Sequence, residues 1–133
     1  MVMKKILLSF SFLLLLVACQ SSSAINLSIK EESLTPDGLT LIIKNNSEQE
    51  YTYGDDYLLY VKEGYTWQLV DTILEDYGFD AIGHIASKNQ SHEQVINWKW
   101  LYGSLNPGEY RLEKTFLDSN LEEFILSLEF KLN

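Results

Sequence analysis

Leu105-Asn106-Pro107-Gly108-Glu109-Tyr110-Arg111-Leu112-Glu113-Lys114-Thr115-Phe116 decides how this chain is read. Pro107-Gly108 is turn chemistry, since proline presets φ and glycine removes the steric limits on the next residue. Beyond the turn Tyr110, Leu112 and Phe116 point one way while Arg111, Glu113 and Thr115 point the other. That period of two is the mark of a half-buried strand. Lys114 interrupts the inward apolar pattern. The expectation is a stem that snorkels to the rim of the fold, or alternatively an ion pair with a loop carboxylate.

The same alternation runs outward from this stretch. Phe124, Leu126, Leu128, Phe130 and Leu132 alternate with Ile125, Ser127, Glu129 and Lys131. Towards the N-terminus, Ile25 to Lys30 alternates as well, and the turn Thr35-Pro36-Asp37-Gly38 opens a strand from Leu39 to Lys44 that Asn45-Asn46-Ser47 closes. Tyr57 to Lys62 and Tyr65 to Val70 pair as a hairpin across Glu63-Gly64. Ser91 to Trp98 is a further strand, with Val95 and Asn97 opposite Ile96 and Trp98. Residues 71–90 give the weakest signal, a short helix over Asp71 to Tyr77 and then loop from Gly78 to Lys88. About seven short strands with turns between them predict an all-β, antiparallel two-sheet sandwich.

Tyr110, two residues beyond the Pro107-Gly108 turn, is placed as a tyrosine corner, the immunoglobulin-type device in which the ring returns its hydroxyl to backbone a few residues upstream. Two blocks carry a wider resemblance. The first is Tyr51-Thr52-Tyr53-Gly54-Asp55-Asp56-Tyr57-Leu58-Leu59, followed by Gly64 and Trp67; the second runs from Asn97-Trp98 through Tyr102-Gly103, Pro107-Gly108 and Tyr110-Arg111 to Lys114. Together they resemble a bacterial immunoglobulin-like domain family of small extracytoplasmic proteins, over about residues 39–130. The resemblance implies an Ig-like β-sandwich in a surface or membrane-attached protein and supplies no catalytic or ligand-binding residues. A neighbouring resemblance, to Ig-like proteinase inhibitors of bacilli, rests on a strand, a tryptophan and the Leu105 to Tyr110 turn. Those inhibitors are intracellular, which the start of this chain contradicts.

That start reads as a lipoprotein leader. Lys4 and Lys5 precede a mostly apolar run from Ile6 to Ala18, the length of a signal h-region and short of the roughly 20 residues a membrane-spanning helix needs. It ends in Leu16-Val17-Ala18-Cys19, a string that resembles a lipobox, with the single cysteine of the chain at the position to be lipidated. The expected organisation is a cleaved signal peptide over 1–18, a lipidated tether over 19–24 and the sandwich over 25–133. Each buried acyl methylene contributes about 0.8 kcal/mol, so palmitate-length chains on Cys19 hold the protein on the extracytoplasmic face of the cell membrane without spanning it. With its one thiol modified, the mature chain has no disulfide and no thiolate chemistry.

The whole chain carries 10 Lys and Arg, two of them in the leader, against 19 Asp and Glu. Such a surface repels nucleic acid. The acid excess serves solubility, or, as the sharper alternative, a basic partner. His84 and His92 lie eight residues apart without local zinc spacing, so no metal is expected. Asp55-Asp56 and Glu75, Asp76 and Asp80 fit no EF-hand loop, and nothing shows that they converge as a glycosidase pair. Ser104 lacks a nucleophile elbow, and no phosphate-cradling glycine loop occurs. No catalytic residue, cofactor or enzymatic activity is expected, and the domain is expected to be a monomer. The aromatic residues are the remaining signal: Tyr57, Tyr60, Trp67 and Trp100 are the candidate binding aromatics, because amphipathic rings dominate recognition hot spots. The opposing reading places Trp67 and one of Trp98 or Trp100 in the core. The expected role is non-enzymatic binding of an envelope protein or cell-wall ligand, the alternative being inhibition of an envelope or secreted hydrolase through a projecting 71–90 loop.

Overall fold

The computed structural model describes residues 24–133. The signal peptide at 1–18, Cys19 and all of the tether but Ala24 lie outside the described residues. Nine strands and one short helix follow: β1 Ile25–Ile29, β2 Gly38–Asn45, β3 Tyr51–Tyr53, β4 Leu58–Glu63, β5 Thr66–Leu69, β6 His84–Ala86, β7 Ser91–Asn97, α1 Lys99–Tyr102, β8 Gly108–Leu117 and β9 Glu123–Leu132. All pairings are antiparallel. One sheet has the order β1-β2-β7; in the other, β8 pairs β9 on one side and both β4 and β3 on the other, with β5 and β6 outermost. The two sheets form a sandwich. The strands beyond the expected seven or so are β3 and β6, of three residues each, too short for an alternation to declare itself.

The segment Asp71 to Tyr77, expected as a helix, is irregular. Its backbone bonds elsewhere: the Ile73 amide donates to the Leu101 carbonyl at 2.8 Å instead of closing a helical turn. The helix that does form, α1, is a single turn whose inner face buries Leu101 and Tyr102. The β4–β5 hairpin turns through Gly64-Tyr65, since Glu63 pairs Thr66. Gly64 has φ +64°, the left-handed conformation that the first central position of such a turn favours and that glycine adopts without steric cost.

Alternation fixes which faces meet. Leu39, Leu41 and Ile43 of β2 and Ile96 of β7 pack against Leu59 of β4, Leu112 and Phe116 of β8, and Phe130 and Leu132 of β9, all buried. Trp98 is fully buried, whereas Trp67 is not in the core. Gly38 pairs Asn97 where β2 and β7 approach so closely that a Cβ on Gly38 would stand 2.2 Å from the Ile96 carbonyl oxygen. Both groups are backbone within a ladder and cannot swing aside, so Gly38→Ala is expected to destabilise by about 2–3 kcal/mol. Urea denaturation checks this: the midpoint should fall while the slope is unchanged.

One feature of the larger sheet sets up everything at its end. Tyr53 pairs Phe116 and Leu58 pairs Glu113, so the four residues Gly54 to Tyr57 lie opposite only Lys114 and Thr115. The strand that would have run from β3 into β4 bulges, and its carbonyls lose their ladder donors. Lys114 supplies them. Its Nζ donates to the Gly54 carbonyl at 2.6 Å and to the Asp56 carbonyl at 2.8 Å, and lies 5.6 Å from the centre of the Tyr53 ring. At 1% exposure Lys114 neither snorkels nor joins a carboxylate; this corrects both sequence expectations. The register explains it, since Lys114 occupies an inward position of β8 and the bulge offers unpaired carbonyls there.

Candidate functional site

The bulge turns Asp55 outward and Tyr57 inward, and both line a groove of about 390 Å³. Gln94, Ile96 and Asn97 of β7 form one side of it, Gly78, Phe79 and Asp80 of the 71–83 loop another, and Trp100 of α1 a third. The volume is at the lower end of the range for small-ligand sites, suited to one side chain or a small polar group. Aromatic contacts hold the walls. Phe79 meets Tyr57 edge-on at 5.2 Å and Trp100 at 5.8 Å, and Tyr77 meets Phe79 at 6.2 Å.

The polar lining is partly satisfied from within. Asp55 Oδ1 lies 2.6 Å from His84 Nε2, and Gln94 Nε2 donates to the Gly54 carbonyl at 3.1 Å and to Asp55 Oδ1 at 3.4 Å. These two acceptors orient the Gln94 amide, because only its nitrogen can meet them both. Gln94 Oε1 is left buried without a partner, as is the Tyr57 hydroxyl. Buried polar atoms are nearly always paired; among the described residues the Arg111 Nε is the third such atom, on the outer face of the larger sheet. Burial, and secondarily the neighbouring Tyr102, pushes the Tyr57 hydroxyl far above the usual phenol range, so it stays protonated and able to donate.

A family model described as a bacterial Ig-like domain matches residues 21–131. The chain belongs to that family. No curated protein matches it.

Bacterial Ig-like domains are generally non-enzymatic surface or binding domains, and the rings of this one fall on two separate surfaces. Of the four expected aromatics, Tyr57 and Trp100 are at the groove. Tyr57 is 6% exposed and its hydroxyl is buried, so it backs the wall of the groove without presenting an open ring. Trp100 is 43% exposed and is the open ring. Tyr60 and Trp67 are on the outer face of the larger sheet, and their own neighbours engage them. The Arg111 guanidinium lies 4.4 Å over the Trp67 ring and Lys62 Nζ 5.9 Å from it, with Arg111 paired to Glu129 at 2.9 Å and Lys62 to Glu109 at 3.4 Å. The Tyr60 hydroxyl bonds Glu113.

At the turn before β8 of this Ig-like domain, the Tyr110 hydroxyl donates to the Asn106 carbonyl at 2.6 Å, pinning the Pro107-Gly108 approach to the strand. His92 Nε2 accepts from the Ser87 amide at 3.0 Å, a loop-closing role. Ser104 Oγ bonds Asp37. Among the described residues no group of three His, Cys, Asp or Glu side chains could hold a metal ion. Sequence reasoning did not single out Gln94, Asn97 or Phe79. A signal for Gln94 existed: it shares the inward parity of Ile96 and Trp98 on β7, and a polar residue at an inward position needs a reason.

Proposed function

We propose that this bacterial Ig-like domain is a membrane-anchored extracytoplasmic binding protein, held by lipid on Cys19, that recognises its ligand at the groove beside Trp100. The observation that carries the reading is the pair of unpartnered buried atoms, Gln94 Oε1 and the Tyr57 hydroxyl, beneath an exposed tryptophan. Each buried polar atom without a partner costs stability of about 1–3 kcal/mol, a cost that a ligand reaching it would relieve. The lipobox-like Leu16-Val17-Ala18-Cys19 supports a place at the membrane surface.

Two measurements test the two halves of the proposal. Cys19→Ser is expected to abolish labelling by a palmitate analogue; undiminished labelling refutes the anchor. Capture from detergent-solubilised envelopes by the full chain, against Trp100→Ala, is expected to lose its specific partner in the variant. Equal recovery by both chains refutes the groove. Inhibition of an envelope or secreted hydrolase is a second reading, favoured by the exposed Ile73, Leu74 and Tyr77 on the 71–83 loop. A screen against secreted proteases and muramidases decides it, since only an inhibitor lowers their turnover.

A further inference from the structure

Resting on that reading, we infer that the groove accepts an organic cation, the guanidinium or ammonium of a basic, apolar-flanked peptide segment on a protein partner. The polar complement of the lining is asymmetric. Asp55, one of whose oxygens meets His84 and Gln94, and Asp80 are carboxylates, Gln94 carries an amide oxygen without a partner, and Phe79 and Trp100 supply rings. Among the described residues no lysine or arginine lines the groove. A cation over an aromatic face, with carboxylates within reach and water partly excluded, is the arrangement in which charge and ring quadrupole add. Of the lining side chains the Asn97 amide is a donor left free, its Oδ1 being taken by the Lys99 amide, so an anionic ligand would meet the Asp55 and Asp80 carboxylates with little to answer it.

The surroundings extend the same chemistry. No Lys or Arg occurs between Lys62 and Lys88, so the loop that forms one wall carries Asp71, Glu75, Asp76 and Asp80 without an internal counter-charge. Among the described residues none of these four is in an ion pair. Beside them Ile73, Leu74, Tyr77 and Ile82 are all exposed. Apolar side chains rimmed by carboxylates mark a protein-binding surface, and the sign of the rim selects a basic partner and speeds its approach. The groove would then receive one cationic side chain while the loop covers the apolar residues next to it.

Titration calorimetry of the full chain in neutral detergent tests this with a blocked pentapeptide of alternating leucine and arginine, and with the same peptide carrying citrulline in place of arginine. The arginine peptide is expected to bind at least tenfold more tightly than the citrulline one, and Trp100→Ala and Asp80→Asn are each expected to weaken it about tenfold. Raising salt from about 50 to about 500 mM should weaken it further. Each variant is first shown to unfold at the parent's urea midpoint. Equal binding of the two peptides, binding untouched by both substitutions, or no binding of the arginine peptide overturns the inference. Binding of a neutral chito-oligosaccharide that Trp100→Ala abolishes would also overturn it, while leaving the groove itself as the site. Loss of the captured envelope partner in Trp100→Ala reports on the groove whatever its ligand, so failure here and failure of the proposed function are separable.

Discussion

Trp98→Ala is expected to cost about 4 kcal/mol, near the top of the range for a buried aromatic, and so to remove a large share of the stability of an ordinary domain. Three losses combine. The side chain is fully buried, and its ring stacks on Phe130 at 5.6 Å, which in turn stacks on Tyr110 at 5.6 Å. That column joins the end of β7 to β9 and β8 and so ties the two sheets. The indole Nε1 also donates to the Pro36 carbonyl at 2.7 Å, while the Trp98 amide donates to the Asp37 carbonyl at 3.0 Å and the Leu105 amide to the Pro36 carbonyl at 2.9 Å. Truncation therefore opens a cavity and loosens the 36–37 turn from the 104–105 segment. Trp98→Phe separates these contributions. It keeps an aromatic ring against Phe130 and loses the Nε1 bond, and because Leu105 still satisfies Pro36, its expected cost is only about 1 kcal/mol plus the smaller ring's lost contact. Urea unfolding followed by circular dichroism measures both. A cost for alanine no larger than that for phenylalanine would show that the column does not hold the sheets together.

Stability is expected to rise by about 2 kcal/mol between pH 7 and pH 9.5, the reverse of what a surface lysine would give. Burial lowers the Lys114 pKa from 10.5 to about 8, against the opposing fields of Asp56 and Asp55. Between those two values the unfolded chain binds the proton and the folded chain releases it, so stability increases with pH across the window, at about 1.36 kcal/mol per unit. The penalty for burying the charge is fully present below pH 8 and is relieved as pH climbs towards 10.5. A neutral amine still has two N–H groups, enough for the Gly54 and Asp56 carbonyls. Above about pH 10 the tyrosines act in the other direction. Burial holds the hydroxyls of Tyr53, Tyr57, Tyr102 and Tyr110 above the usual phenol value, so the unfolded chain sheds those protons first and stability falls. The two effects predict a maximum between pH 9 and 10, read from urea midpoints across the range. In Lys114→Met the rise below pH 9.5 should vanish. A rise that persists in that variant assigns the effect to some other group.

Much of the fold could be read from alternation and turn chemistry. The inward parity of Leu39, Leu41 and Ile43, of Leu112 and Phe116, and of Phe130 and Leu132 specifies which face of each strand is buried, and Pro107-Gly108 specifies where β8 begins. Lys114 and Gln94 show where that reasoning stopped. Both occupy inward positions, yet parity says only that a side chain points inward, and it is silent about what waits there. The Lys114 partners are carbonyls exposed by a two-residue mismatch between separate pairings of β8 with β3 and β4, a fact of register across 58 and 60 positions of sequence. Asn45 is similar. With Asn46 and Ser47 it marks the close of β2 in the sequence, and in the fold it is a buried clasp whose Nδ2 donates to the Gln49 and Ala86 carbonyls at 2.7 and 2.9 Å.

The groove was the least legible part for the same reason. Asp55, Phe79, Gln94 and Trp100 come from four separate segments, and no local pattern relates a bulge, an irregular loop, a strand and a single helical turn. Sequence alone determined the β-rich class, the faces of the long strands and the acid excess, because those follow from side-chain chemistry at period two and from composition. Only the tertiary structure decided that Tyr57 is buried, that Trp100 is open, and that two polar atoms are stranded between them, since burial and hydrogen-bond satisfaction depend on which segments meet in space.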